Sequence, residues 1–401
     1  MSEKLSDVVT IISGGTPKTS VKEFWDGDID WLAVADFNSS NRYVSSASKK
    51  ITDLGLNNSN TKMLEKDDLI ISARGTVGAI AQLTKPMAFN QSCFGLRGKK
   101  DKLNTDYLYY WLKNYVDVLL NKSQGSVFNT INLSTFDDIK IELPSIVDQR
   151  KISNLLTLLD DKIQTNNQIN QELEAMAKTL YDYWFVQFDF PDQNGKPYKS
   201  SGGKMVYNPE LKREIPEGWG VEKLGDISQY VSEKVDSFEL NIENYVGTDN
   251  MIADMGGIEL TTSIPKSGTS TKFSAGDILI SNIRPYFKKI WLSDRTGGCS
   301  ADVLCIRTNR TIPKEFIYAT LARDDFFNYD VAGSKGSKMP RGDKKHIMEY
   351  PIVFEFGIAE QYSKIVKPIY EGVHENNNQN QELTQLRDWL LPMLMNGQVK
   401  I

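Results

Sequence analysis

The chain has 401 residues, 40% of them hydrophobic and 25% charged, the balance of an ordinary folded protein long enough for two or three domains. No apolar run approaches the ~20 residues that cross a bilayer and no secretory signal follows Met1, so a cytoplasmic setting with no membrane partner is expected. Three cysteines (Cys93, Cys299, Cys305) without a CxxC pair, and two histidines (His346, His374), argue against a metal site, and the net charge of -5 with a pI near 5.4 argues, as a total, against nucleic acid.

Taken in chain order, residues 1–146 are rich in short β-branched and aromatic runs broken by Gly, Asn and Asp, and read as a compact mixed domain. Leu69-Ile-Ile71 and Ile139-Lys-Ile-Glu-Leu143 are its clearest strands. Residues 147–189 change texture to helical periodicity with few breakers. Residues 190–219, with Phe190-Pro-Asp-Gln-Asn-Gly-Lys-Pro-Tyr198 and Ser200-Ser-Gly-Gly203, read as an extended connector without strand signals. Residues 220–354 then return to the first texture, with Ile278-Leu-Ile280 as a strand, and 355–401 to the second.

The order is a duplication. Glu3-Lys-Leu-Ser-Asp-Val8 returns as Glu222-Lys-Leu-Gly-Asp-Ile227, and Asp68-Leu-Ile-Ile-Ser72 as Asp277-Ile-Leu-Ile-Ser281. Tyr107-Leu-Tyr-Tyr-Trp-Leu112 parallels Phe316-Ile-Tyr-Ala-Thr-Leu321, Gly125-Ser126 parallels Gly333-Ser334, and Asn170-Gln-Glu-Leu173 parallels Asn380-Gln-Glu-Leu383. The offsets are 219, 209, 209, 208 and 210, nearly constant and in the same order. One unit of about half the chain is written twice.

The two helical parts carry matching seams. Alternating steps of four and three from Ile152 reach Leu156, Leu159, Ile163, Asn166, Asn170, Leu173, Ala177, Leu180 and Trp184, a 3.5-residue repeat over about four heptads. Adding 210 reaches Tyr362, Val366, Ile369, Val373, Asn376, Asn380, Leu383, Arg387, Leu390 and Leu394. Asparagines fall at the same two steps in each, where they cost stability and fix register, so the two helices are expected to pair with each other. Amphipathic helices packed on separate domains are the alternative. Pro368 is expected to kink or interrupt the second helix. An unbroken helix of about 40 residues rises roughly 60 Å, which makes it a spacer as well as a core element.

No catalytic constellation stands out. Asp192 with Glu210 and Lys212 formally fits a metal-dependent nuclease pattern, but it lies in the connector and has no copy in the other unit. Ser13-Gly-Gly-Thr-Pro-Lys-Thr-Ser20 has Pro17 where a phosphate loop needs glycine, and reads as a turn. GxSxG, HExxH, GxGxxG and Asn/Asp-Pro-Pro-Tyr patterns do not occur, and the chain is read as no enzyme.

A duplicated domain on a paired-helix spacer presents two similar surfaces about a pseudo-two-fold axis, a geometry that suits a split site on duplex DNA. Charge resolved along the chain permits it: 17 cations face 17 acids in 1–146 and 17 face 18 in 221–354, so the excess acid lies largely on the spacer helices. Gly333, Ser334, Lys335, Ser337, Lys338, Arg341 and Lys344 belong to a loop in which five cations stand against one acid. Its counterpart holds Lys122, Gln124, Gly125, Ser126 and Asn129. Arg284, Tyr286, Lys288 and Lys289 interleave cations with aromatics, and Arg74 with Thr76 are their first-unit partners. Phosphate contact is one reading of these groups. A solvated basic loop is the other, and Arg74 and Arg284 could instead pair with Asp67, Asp68 or Asp277.

Ser13-Gly-Gly-Thr-Pro17 leads to Asp26-Gly-Asp-Ile-Asp-Trp31 and Asp36 in the first unit; Ile215-Pro-Glu-Gly-Trp219, Glu243-Asn-Tyr245 and Asp277-Ile-Leu-Ile-Ser-Asn-Ile-Arg-Pro285 follow in the second. With the two Gly-Ser pairs and the openings Pro144…Gln149 and Pro351…Gln361, this ordered set resembles the specificity subunit of type I restriction–modification systems over nearly the whole chain. The resemblance implies an α+β fold of two tandem target-recognition domains (1–146 and 220–354) and two long helices forming an antiparallel coiled coil. Each domain would read half of a bipartite DNA site. It further implies two modification subunits that use S-adenosylmethionine to methylate adenine, and restriction subunits, with ATP and Mg²⁺, that can join them. No cofactor would then belong to this chain. A protein–protein scaffold, two adaptor domains on a coiled-coil strut, is the competing reading.

Overall fold

The computed structural model describes residues 2–37, 42–122, 130–336 and 338–399, and of 117–122 the backbone alone. The chain divides into two units, Met1–Asn167 with Asn377–Ile401, and Gln168–Asn376.

In the first unit the strand Ser2–Lys4 pairs antiparallel with Lys140–Glu142, tying the two ends of the globular part together. A five-stranded sheet has the spatial order Val9–Ser13, Cys93–Gly98, Leu69–Ser72, Ile80–Leu83, Tyr43–Val44. Leu69–Ser72 is its middle strand and is buried at all four positions, hence the continuous apolar run in place of alternation. A four-stranded sheet runs Lys50–Ile51, Trp25–Leu32, Met87–Phe89, Met63–Leu64. The helix Thr105–Lys122 buries Tyr107, Leu108, Tyr110 and Leu112 in one core with Leu69, Leu96 and Phe136.

The second unit repeats the plan. Gly220–Lys223 pairs with Pro351–Phe354, and two four-stranded sheets follow: Ser228–Tyr230, Val303–Thr308, Ile278–Ser281, Ile290–Leu292, and Lys234–Asp236, Thr269–Phe273, Gly297–Cys299, Tyr245–Val246. Where the first unit has one long helix, the second has two, Lys314–Leu321 and Asp324–Gly333. Arg323 marks the break with extended backbone, and Asp324 and Asp325 supply the acidic first turn that a new helix start favours. The Arg323 side chain is held away by an ion pair to Asp182 and by the Tyr181 ring beneath it.

The central helix, Ile146–Tyr181, and the C-terminal helix, Phe356–Met395, pack together and antiparallel. In the first unit Arg387 meets Asp160 at 2.7 Å, while Asn166 Nδ2 donates to Asn380 Oδ1 at 2.9 Å and to Gln379 Oε1 at 2.8 Å. In the second, Asn376 Nδ2 donates to Asn170 Oδ1 at 2.8 Å and Tyr362 OH to the Ala177 carbonyl at 3.1 Å. In each unit the partner's number falls as the helix number rises, as antiparallel pairing requires. Asn166, Asn170 and Val373 are buried on the seam; Leu159, Ile163, Leu173, Ile369, Asn376, Asn380 and Leu383 are half-buried on it. The asparagine layers therefore do pair with each other.

Two expectations need correction. Pro368 does not interrupt the C-terminal helix, which is continuous from Phe356 to Met395. Pro368 lies on the exposed face, where water can satisfy the freed carbonyl one turn back, while Tyr362 and Val366 on the other face are fully buried and anchor that turn. The connector is not extended throughout. Met205–Asn208 and Arg213–Pro216 form an antiparallel hairpin, and Phe190, Tyr198 and Trp219 stack at 4.7 and 4.9 Å against the second unit's core. Its aromatic anchors, spaced among Pro and Gly, outweigh the breaker composition.

Candidate nucleic-acid interface

In each unit a turn leaves an inner strand of the core sheet and is tied by its backbone to a segment some sixty residues onward. In the second unit the strand Ile278–Ser281 runs into Asn282, and Arg284 and Lys288 both take left-handed backbone (φ 52° and 51°) around the turn Pro285–Phe287. Non-glycine residues rarely adopt this conformation unless their surroundings impose it. Here Arg284 N–H donates to the Pro340 carbonyl at 2.8 Å, Met255 N–H to that of Lys288 at 2.8 Å, and Gly342 N–H to that of Asn282 at 3.3 Å. The loop 333–344 folds back on itself: Lys335 and Arg341 exchange both backbone hydrogen bonds, at 2.9 and 3.0 Å. The two basic segments singled out in the sequence are therefore neighbours.

Gly333 is there for space. A Cβ on it would stand 1.9 Å from the His346 ring, which stacks on Tyr329 at 4.0 Å. Several cations of the site are matched by acids: Lys335 by Asp343, Arg341 by Asp302 at 3.0 Å and Lys288 by Asp324 at 2.7 Å. Asp343 also caps the helix Lys344–Met348, accepting from the backbone of Lys345 and His346, and Lys335 with these amides pulls its carboxyl down to about 2. Such exposed pairs are weak and exchange readily for a stronger anion. Lys289 Nζ donates to the Thr248 carbonyl at 2.7 Å. Lys344 Nζ stands 5.9 Å above the Tyr230 ring, whose hydroxyl donates to the Lys344 carbonyl at 3.0 Å. Lys338 and Lys345 are exposed and form no ion pair among the described residues. Tyr286 and Phe287 form an exposed ring pair 4.8 Å apart between the cations.

The first unit has the same tie: Ile131 N–H donates to the Ala73 carbonyl at 2.9 Å, matching Gly342 to Asn282. Ser72 Oγ accepts from Ala79 N–H at 2.9 Å and donates to the Thr76 carbonyl, which shapes the turn that carries Arg74 and Thr76 to the surface. The Lys122 side chain, Gln124, Gly125, Ser126, Asn129 and, in the second unit, Ser337 lie outside the described residues.

The structural role considered for Arg74 and Arg284 is filled by other arginines. Arg97 grips Asp68 with two hydrogen bonds of 2.6 Å, and Arg307 grips Asp277 with two of 2.8 Å. Spacing alone did not single out these forks, although the duplication could have, since each arginine follows its aspartate by nearly the same interval. Phe287 and Lys345 were also missed as site residues; both flank residues that were chosen. The Asp192 decoy is accounted for by its own turn, in which Oδ1 accepts from Asn194 and Lys196 N–H, both at 2.8 Å. Among the described residues no group of three or more His, Cys, Asp or Glu could hold a metal ion, and no helix is long and apolar enough to cross a membrane. The three cysteines are buried thiols, with burial pushing Cys93 and Cys299 up to about 12.

Cations and exposed rings on one edge form a surface chemically suited to a polyanion. The model of the type I restriction modification DNA specificity domain matches residues 1–175. The MjaIX type I restriction enzyme specificity subunit of Methanocaldococcus jannaschii is 27% identical over 427 residues, covering 100% of this chain and 93% of that protein. The HindI specificity subunit of Haemophilus influenzae is 24% identical over 341 residues, 70% of this chain and 73% of its own. The crystal structure of a type I system S subunit from M. genitalium shares the fold, with a TM-score of 0.57 at 16% identity over 98% of this chain and 95% of that one. Over residues 1–175 the chain matches the type I restriction modification DNA specificity domain, and over its whole length it is similar to type I specificity subunits. These relatives are specificity subunits of type I restriction enzymes, DNA-specificity components and not catalytic ones. The fold expected of an S subunit, two mixed-sheet domains with two long packed helices, is the one observed.

Proposed function

We propose that this chain is the S subunit of a type I restriction–modification system and reads a bipartite site on double-stranded DNA, one half by each unit, with the paired helices setting the unread stretch. One observation carries the reading: both units build the same edge, a turn after an inner strand tied to a later segment by the matching backbone hydrogen bond. In the second unit Arg284, Lys288, Lys289, Lys335, Lys338, Arg341 and Lys344 supply phosphate contacts, with Gly333, Ser334 and Ser337 giving close backbone approach and Tyr286 a ring for sugar or base. In the first, Arg74, Thr76, Lys122, Gln124, Gly125, Ser126 and Asn129 take that part. The target-recognition domains are 1–146 and 220–354. Two modification subunits carry S-adenosylmethionine and methylate adenine; restriction subunits bring ATP and Mg²⁺ where they join.

The test is a mobility-shift titration of this chain assembled with its modification subunits, using duplexes drawn from the methylated motif of the host DNA. Tight binding that is lost when either half-site is scrambled supports the reading. Equal binding to every duplex, or none, overturns it and leaves the protein-scaffold role.

A further inference from the structure

Beneath the basic loop of the second unit, three acceptor oxygens are buried with no hydrogen-bond partner: both carboxyl oxygens of Asp330 and Oδ1 of Asn282. Asp330 has no exposed surface and lies on the helix Asp324–Gly333, which leads into the loop; Asn282 sits on the turn that leads to Arg284. Gly342 joins them. Its N–H donates to the Asn282 carbonyl at 3.3 Å, and a Cβ on it would stand 2.3 Å from Asp330 Oδ1 and 3.0 Å from Asn282 Oδ1. The two side-chain oxygens thus close on one point against the returning arm of the loop.

An ionised carboxylate there would face an amide oxygen, acceptor against acceptor, with no protein donor to either. One proton removes the conflict, because a neutral carboxyl has an O–H to donate. We propose that Asp330, when protonated from solvent, donates that hydrogen to Asn282 Oδ1 and is the positioning residue that locks the Gly342 arm of the loop to the Arg284 turn. The order of the loop then follows the protonation of Asp330. The DNA consequence rests on the reading of this loop as a phosphate-contacting element; the lock itself does not.

The surrounding groups are consistent with this. Burial pushes the Asp330 carboxyl up to about 6, against a smaller opposing pull from His346. From the helix Lys344–Met348 come Lys344, Lys345 and His346, whose Nε2 lies 3.0 Å from the Tyr329 carbonyl; from the neighbouring strand comes Tyr230. Asp343 is paired with Lys335, and Lys288 with Asp324. The Arg284 Nε is itself buried without a partner. None of these donates to Asp330. Phosphates brought to the loop would favour the neutral acid further, so DNA binding is coupled to proton uptake.

Hydrogen exchange of the full-length chain, corrected for intrinsic rates, tests the lock without a variant. Protection of the Lys335, Arg341 and Gly342 amides should rise severalfold as pH falls from 7.5 to 5.5. Asp330→Asn, whose amide donates at every pH, should keep the high protection throughout, and Asp330→Ala should lose it throughout. In the assembled complex, wild-type affinity for a specific duplex should rise about tenfold over that pH range, and Asp330→Asn should be nearly flat while His346 is intact. Protection that ignores pH in the wild type, or a pH slope that Asp330→Asn retains in full, overturns the lock. An intact lock with affinity unmoved by Lys338→Ala and Lys345→Ala would instead overturn the reading of the loop as a DNA contact.

Discussion

The two units place opposite chemistry at matching positions of their helix seams. In the first, Asp160 takes hydrogen bonds from Arg387 at 2.7 Å and Tyr110 at 2.5 Å, and Arg42, itself buried, binds Tyr110 at 2.9 Å, Thr157 at 2.6 Å and Asp106 at 2.5 Å. In the second, the position 210 before Arg387 is Ala177 and the position 210 after Asp160 is Tyr370, and the seam is closed by Tyr181, Trp184, Phe185, Phe316 and Tyr362 in mutual ring contact. One seam is a hydrogen-bonded ion network and the other an apolar stack. The lesson is that a duplicated scaffold conserves where two helices meet, while the means of holding them is free to diverge.

The largest effect should come from breaking the ion network by halves. Asp160→Ala leaves the Arg387 charge buried and should cost about 3–5 kcal/mol, read by urea denaturation. Asp160→Leu with Arg387→Leu should come within about 1 kcal/mol of wild type, because the desolvation cost leaves together with the pair. If the double variant were as damaged as the single one, the contrast between the seams would be misdrawn. Tyr362→Ala in the apolar seam should cost about 3–5 kcal/mol with no rescue by any charged partner, since what is lost is packing.

Next in size is the pH response of the second unit. Asp330 has a folded value of about 6, above the ordinary carboxyl value near 4, so the folded state holds the extra proton. Its destabilising share is absent below about pH 4, grows as pH rises through about 6 and then levels off, an effect of about 3 kcal/mol. Denaturation midpoints of wild type and Asp330→Asn should therefore diverge between pH 4 and 6; parallel curves would deny the burial of an unpartnered acid. Asp343 runs the other way: its carboxyl, held near 2 by Lys335 and the helix amides, supports the fold above pH 4 and loses that support as the acid protonates.

Smaller still is the asparagine layer. Asn166→Leu with Asn380→Leu should be neutral or stabilising by about 1 kcal/mol, with looser helix register detected by disulfide cross-linking of engineered cysteine pairs.

The fold was largely legible because its signals are periodic and doubled. The 3.5-residue seam put asparagines at matching steps of two helices that pair, and the Asp68 and Asp277 copies located a strand in each unit. The connector was misread because composition reports breakers and not the packing of Phe190, Tyr198 and Trp219. Pro368 was misread because a proline's cost depends on which face it occupies, and that is set by tertiary burial. In the candidate site the cations were visible, but not which of them are held by acids. The Arg97 and Arg307 forks, and the meeting of Asp330 with Asn282, depend on strand pairing and loop return over tens of residues, which no spacing rule in a single sequence encodes.

The central claim is that each unit owns one half of the target. The most direct measurement is base preference of the assembled complex on a randomised duplex library, comparing wild type with Arg74→Ala and with Arg284→Ala. The account predicts that each substitution weakens or relaxes one half of the bipartite site and leaves the other half as sharp as before. Relaxation of both halves by either change, or of neither by both, would contradict it.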